Sequence, residues 1–365
     1  MTERYQDLID KNIFGGEPLR VDMQVNAAEL PAYATVETVD PVAFDGFEEV
    51  LFQPETKRKQ RYTVTDLAKP NHVLKLCFET DTLQRKTNDS LAGTHPLALE
   101  LVRPSYGQAH YLKIEVAADS HVELVFFEKE SAVSNPEDGG KPAVFLEATV
   151  GERAVLDVVY IHPLYLENSG RRNYLTIKDS TTFLYHGKVS GSGKFRWTSI
   201  NIGDSLVEKG RVDLLAPYAR ADIGGAAYIP KGCEHFYQYQ VRCLTPKARA
   251  FVQSHGVVDD GGSGHMVSIA DIEKGAHGAK VREENRFITL GKNARAFTDP
   301  TLLIDEYDVE ASHAATVGQM DEDAMFYLQS RGLTPEQAKR LVTSGFLMPL
   351  IDRIPQNELR NQLAN

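Results

Sequence analysis

The amino-acid sequence predicts a mainly β protein that ends in a short helical appendage. Three observations carry this. From about Leu97 onward, apolar and polar residues alternate with a period of two through one short run after another. Turn formers separate the runs and no stretch of helical period lies between them, which excludes a doubly wound α/β fold. Beyond residue 320 the period becomes helical and is bounded by capping residues. An array of this kind leaves a sandwich, a barrel or a β-solenoid. Its extent of about 200 residues without a break, and its short strand spacing, favour the solenoid, although no crisp repeat is present.

Taken in order, residues 1–90 read as an irregular amino-terminal region. It holds a Pro-bounded acidic stretch, ELPAYATVETVDPVAFDGFEEVLF, and a basic run, Lys57-Arg58-Lys59-Gln60-Arg61, that suits a solvated face. Residues 91–312 form the β core. In HYLKIEVAA, Leu112, Ile114 and Val116 alternate with Tyr111, Lys113 and Glu115; in FYQYQVRC, Tyr237, Tyr239, Val241 and Cys243 share one face. Comparable strands are predicted at ALELV, HVELVFF, RAVLDVVYI, RNYLTI, FRWTSINI, RVDLLA, RFITL and TLLIDEYDV, with turns at Gly151, Gly170, Gly187, Gly203, Gly210, Gly232 and Gly261-Gly262. Residues 313–365 form a helical domain. Asp321 caps a first helix whose Met325, Phe326 and Leu328 make an apolar stripe, and Gly332 follows it. Thr334 as N-cap, Pro335 at the first position and Gln337 closing a capping box open a second helix, with Gly345 as its stop. Two helices that short must lie against the β array or a partner.

Charge and composition narrow the function. A formal net charge of −11 and a pI near 5.5 argue against a nucleic-acid partner. The first residues lack the basic and apolar regions of a secretory signal, and no apolar run approaches the ~20 residues of a membrane span, so a cytoplasmic protein is expected. Cys77, Cys233 and Cys243 make no C-x-x-C pair and point to reduced thiols.

Local motifs are mostly structural. GKVSGSGKF has the GSGK core of a phosphate loop but Lys188 and Phe195 where that loop needs Gly and a hydroxyl, so it is a β-turn. Cys233-Glu234-His235 cannot converge on one metal, because adjacent strand residues face opposite ways. His255, His265 and His277 read as surface histidines in glycine-rich turns, and no nucleophile elbow is present. His313 differs in context: it follows the strand TLLIDEYDVEA among Ala311, Ser312, Ala314 and Ala315, which leave room for its ring and for another backbone.

The segment TLLIDEYDVEASHAATVGQMDEDAMFYLQSRGLTPEQAKRLVTSGF resembles the carboxy-terminal signature of the SufB/SufD family of iron–sulfur cluster assembly scaffolds, and EENRFITLGKNARAFTDPTLLI upstream is similar to it as well. It resembles the SufD branch more, since SufB members carry Glu-His where this chain has Ser312-His313. The resemblance implies a right-handed parallel β-helix with a helical carboxy-terminal domain. It implies no enzyme but a scaffold subunit of a SufBCD-type complex, pairing with a SufB-like paralogue and docking the ABC-type ATPase SufC through its helices, with Met325, Phe326, Leu328, Arg331, Leu341 and Phe346 as candidate contacts. His313 is the match to a family histidine at the subunit interface, hence a candidate ligand of iron or a cluster. No tightly bound cofactor is expected in the isolated chain, only a transient cluster or iron in the complex. A thiolate that some members carry two positions earlier is Ala311 here. A polysaccharide-acting β-helix enzyme and a homodimeric structural solenoid are the alternatives.

Overall fold

The computed structural model describes residues 19–21, 34–39, 72–78, 97–129, 139–162, 180, 182–355 and 357–364. The basic run at Lys57, the predicted strand RNYLTI and Gly170 lie outside the described residues. In chain order the strands are β1 (Leu19–Val21), β2 (Ala34–Val39), β3 (His72–Phe78), β4 (Leu97–Val102), β5 (Ala109–Val116) and β6 (His121–Lys129). They continue as β7 (Ala143–Val150), β8 (Val155–His162), β9 (Thr182–Val189), β10 (Lys194–Ile202), β11 (Leu206–Leu214) and β12 (Arg220–Ile229). The last are β13 (Glu234–Cys243), β14 (Arg249–Val258), β15 (Ser263–Ile272), β16 (Ala279–Thr289), β17 (Arg295–Ile304) and β18 (Val309–Gln319). Three helices follow: α1 (Glu322–Ser330), α2 (Pro335–Ile351) and α3 (Asn357–Ala364).

The described strands form two nine-stranded sheets, ordered β1-β4-β6-β8-β10-β12-β14-β16-β18 and β17-β15-β13-β11-β9-β7-β5-β3-β2. From β3 onward consecutive strands alternate between the sheets, and every pairing is parallel except the antiparallel β2–β3, which share one sheet. That is a parallel β-solenoid, as the strand spacing predicts. Registers are continuous, so residues one coil apart stand side by side and columns run the length of the stack. One column reads Trp197, Ile223, Val252, Glu283, His313.

One face of each strand fills the interior. Leu112, Ile114 and Val116 of β5 and Tyr237, Tyr239, Val241 and Cys243 of β13 are all in that core, as the alternation requires. Its centre is aromatic: Tyr185 stacks on Trp197 at 4.2 Å, and Tyr160 and Phe183 pack beside them. Gly187 and Gly210, expected at turns, lie inside β9 and β11. At Gly210 a Cβ would stand 1.8 Å from Cζ of Tyr185, so glycine here makes room for a ring.

The outer face of the first sheet carries a second apolar cluster, in which Val125, Phe127, Val159, Ile161, Ile200, Ala226 and Val257 meet Leu347, Leu350 and Ile351 of α2, Ile354, and Leu359 of α3. The caps fall where the sequence puts them: Asp321 accepts from the Asp323 and Ala324 amides, and Thr334 and Gln337 close a capping box. Gly345 does not stop the second helix, which runs on through Pro349 to Ile351. Burying Leu347, Leu350 and Ile351 outweighs the roughly 1 kcal/mol that a mid-helix glycine costs. Lys339 pairs with Asp259 at 2.8 Å and Arg353 donates to the Ile223 carbonyl at 3.1 Å, tying the helices to the coils beneath.

Candidate functional site

The solenoid ends in an uncovered coil. Among the described residues β17 and β18 are each paired on one side only, and nearly all of β18 from Ser312 to Val317 is exposed. TLLIDEYDV, predicted as one strand, is two: β17 closes at Ile304 and β18 opens at Val309. His313 therefore lies within the last strand, with six further strand residues after it. Val309 and Ala311 pack on the interior cluster, so His313, two residues on, sits on the same interior-facing side. Among the described residues no further coil covers it.

Beneath His313 in the column is Glu283 of β16, which is 1% exposed. Neither of its carboxyl oxygens has a hydrogen-bond partner. Burial pushes its pKa up to about 8; the Ser268 hydroxyl opposes this without closing a bond of normal geometry. The other buried carboxylates among the described residues are all engaged. Burial raises Glu128, but Arg103 at 2.6 Å and His162 at 2.5 Å outweigh it and hold the carboxyl well below the usual range, with Tyr160 donating a further bond. Glu208 is raised by burial against donors from Trp197, Tyr239 and Asn201. Asp213 is bound by His186 and Arg211, and Asp157 by Arg196 and His121.

The other histidines weighed in the sequence lie away from this end column. His255 and His265 are in β14 and β15 and 1% exposed, not in surface turns; only His277 is at an exposed turn. Their glycine neighbours suggest turns but serve packing: Gly256 and Gly264 each lie where a Cβ would strike Phe287. Nδ1 of His255 meets the Phe346 carbonyl at 2.9 Å, and His265 pairs with Asp299 at 2.7 Å. His235, at the start of β13, is driven down to about 4 by burial and is held between Tyr237 and the Gly203 carbonyl. Burial also pushes the Cys233 and Cys243 thiols up to about 12, which makes them inert. On the outer face His121, Glu123 and Asp157 bring ligand atoms within 4.8 Å of one another, but Arg196 at 2.7 Å already neutralises Asp157.

The helices present Phe326 (75% exposed) and Leu341 (53%) to solvent, with Met325 and Leu328 half-buried. Arg331 lies over the Tyr327 ring. Phe346 turns the other way and stacks on His255 at 5.0 Å.

Residues 102–346, which run from the end of β4 through β18 and α1 into α2, match the family model of the SUF system FeS cluster assembly SufBD core domain. The chain belongs to the SufBD family. It is 29% identical over 279 residues to the iron-sulfur cluster assembly protein SufD of Bacillus subtilis, covering 74% of this chain and 60% of that one. A SufBD family protein of Mycobacterium tuberculosis is 26% identical over 298 residues, 79% of this chain and 70% of the relative. A SufBD protein of Mycobacterium bovis is 26% identical over 191 residues, which is only 23% of its length. The likeness to the Bacillus protein places the chain on the SufD side of the SufBD family, as Ser312-His313 suggests. No helix among the described residues is long and apolar enough to cross a membrane.

Proposed function

We propose that this chain is the non-catalytic, SufD-like scaffold subunit of a cytoplasmic SufBCD-type complex, and that it holds a nascent iron–sulfur cluster at an interface with a SufB-like paralogue. The observation that carries the reading is the uncovered last coil in a SufBD core: β18 offers an unpaired edge, and His313 stands on it. An edge of this length invites a second sheet, and a neutral imidazole is a ligand for iron. A partner there covers the coil and supplies further ligands; without the paralogue a second copy of this chain takes the place. The cluster is cargo, not a resident cofactor.

A SufC-like ABC ATPase docks on the outward side of α1 and α2, where Phe326 and Leu341 are exposed and Met325, Leu328 and Arg331 flank them. Phe346 serves differently, fastening that platform to His255. Truncating the chain at residue 321 is a poor test, because it strips the cover from Phe127, Val159 and Ile161. Phe326→Asp with Leu341→Asp leaves the solenoid covered. Co-purification with the paralogue and the ATPase tests the assembly: the double variant loses the ATPase and keeps the paralogue, and His313→Ala keeps both while cluster formation falls at least tenfold. Cluster formation by His313→Ala at the wild-type rate overturns the role of the histidine.

A further inference from the structure

We propose that Glu283 and His313 together bind one divalent transition-metal cation on this chain alone, at the open end of the solenoid. The inference rests on the reading of His313 as a ligand and adds to it a second one. The sequence neighbours of His313 include no thiolate, and its flanking residues are alanine and serine. The fold supplies what they lack: in-register pairing of β16 with β18 sets Glu283 beside His313, one strand spacing or about 4.8 Å away.

Packing does not account for this glutamate. The two coils below fill the same column with Ile223 and Val252, both fully buried. An aliphatic side chain would continue that core without cost, whereas a buried carboxyl with no partner is expensive. Every other buried carboxylate among the described residues has its arginine, histidine, tyrosine or amide donor. Glu283 has only the Ser268 hydroxyl near it, with no bond of normal geometry to either oxygen, and it occurs in the last covered coil, where the column leads directly to an exposed imidazole.

The surroundings leave space for an ion. In the Glu283 coil, Asn285 donates to Ser268 across the interior at 2.9 Å. One coil further on, those positions are Pro300 and Ala315, which carry no hydrogen-bonding side chain and little bulk. A carboxylate oxygen and an imidazole nitrogen are a fitting donor pair for Fe(II), Co(II) or Zn(II), reached at about 2.0–2.2 Å. Two protein ligands leave coordination positions open toward solvent, the side from which a partner would approach.

Co(II) is the probe, titrated into the full-length chain without other proteins and followed by visible absorption and calorimetry. Wild type takes up one Co(II) per chain, and Glu283→Gln and His313→Ala each weaken binding at least tenfold, as loss of one of two ligands requires. Far-UV circular dichroism checks that Glu283→Gln folds; if it does not, Glu283→Asp takes its place, and its shorter reach also weakens binding tenfold. Failure of wild type to bind Co(II) at millimolar concentration, or unchanged affinity in the glutamate variant, overturns the pair. Cluster formation in the assembled complex reports separately on the reading beneath: Co(II) binding lost in both variants with wild-type cluster formation would leave the metal pair standing and remove His313 from assembly.

Discussion

Replacing Glu283 by glutamine changes how stability depends on pH. The carboxyl is raised to about 8 in the fold, against about 4.5 in the open chain. Below pH ~4.5 both states are protonated and the group has no effect. Between there and pH ~8 the unfolded chain ionises while the native state keeps its proton, so stability falls by about 1.4 kcal/mol for each pH unit. Above pH ~8 the loss levels off on the order of 4 to 5 kcal/mol, the difference between the two proton equilibria. The glutamine side chain has the same shape and no proton to lose. Its amide carries its own cost in a site without partners, but that cost does not vary with pH and cancels from the comparison. The assay is urea denaturation of both proteins from pH 5 to pH 9, with chelator present to remove bound metal. The stability of Glu283→Gln relative to wild type rises from pH 5 to about pH 8, by roughly 4 kcal/mol, and levels off above that. A flat difference would refute the reasoning, since it would mean that the carboxyl finds a partner or water that the geometry does not show.

Three further outcomes follow. Arg103→Met leaves the Glu128 carboxylate buried with its main counter-ion gone and costs about 3 kcal/mol in urea denaturation, more at pH 8 than at pH 4, because the native state then holds a charge that the acid removes. Gly210→Ala drives a methyl into the Tyr185 ring and lowers stability by roughly 1–3 kcal/mol, while Gly187→Ala, whose Cβ meets Val212 at 3.3 Å, costs less; thermal melts of the two variants give the order directly. Leu350→Ala empties the centre of the helix–solenoid contact at a cost of about 2–5 kcal/mol, and hydrogen exchange shows the loss in residues 335–351 before it reaches the coils.

The solenoid is legible in the sequence because its inward positions alternate so regularly: Leu112, Ile114 and Val116, or Tyr237, Tyr239 and Val241, could belong to no helix. The helix caps are legible for a similar reason, since Asp321 and Thr334 satisfy amides only two or three residues away. Glycine and histidine are not. Gly187, Gly210, Gly256 and Gly264 read as turns, yet each stands inside a strand, where the reason for its smallness is a ring or methyl contributed from elsewhere in the chain. His255 and His265 take their surface reading from those same glycines. Strand β3 escapes the pattern although Leu74, Leu76 and Phe78 alternate inward; the charged residues before it hide a run of seven. Glu283 gives no local signal at all. Its partner in the column is thirty residues on, a spacing that only the coil length defines.

That spacing also orders the molecule in time. Each coil can close as soon as the next thirty or so residues have left the ribosome, because its contacts are with the coil just finished. The amino-terminal coils are built first and the histidine-bearing strand last. A chain that stalls, is clipped, or is still being made has a sound rod but lacks its last coil, and with it His313 and the open edge of β18.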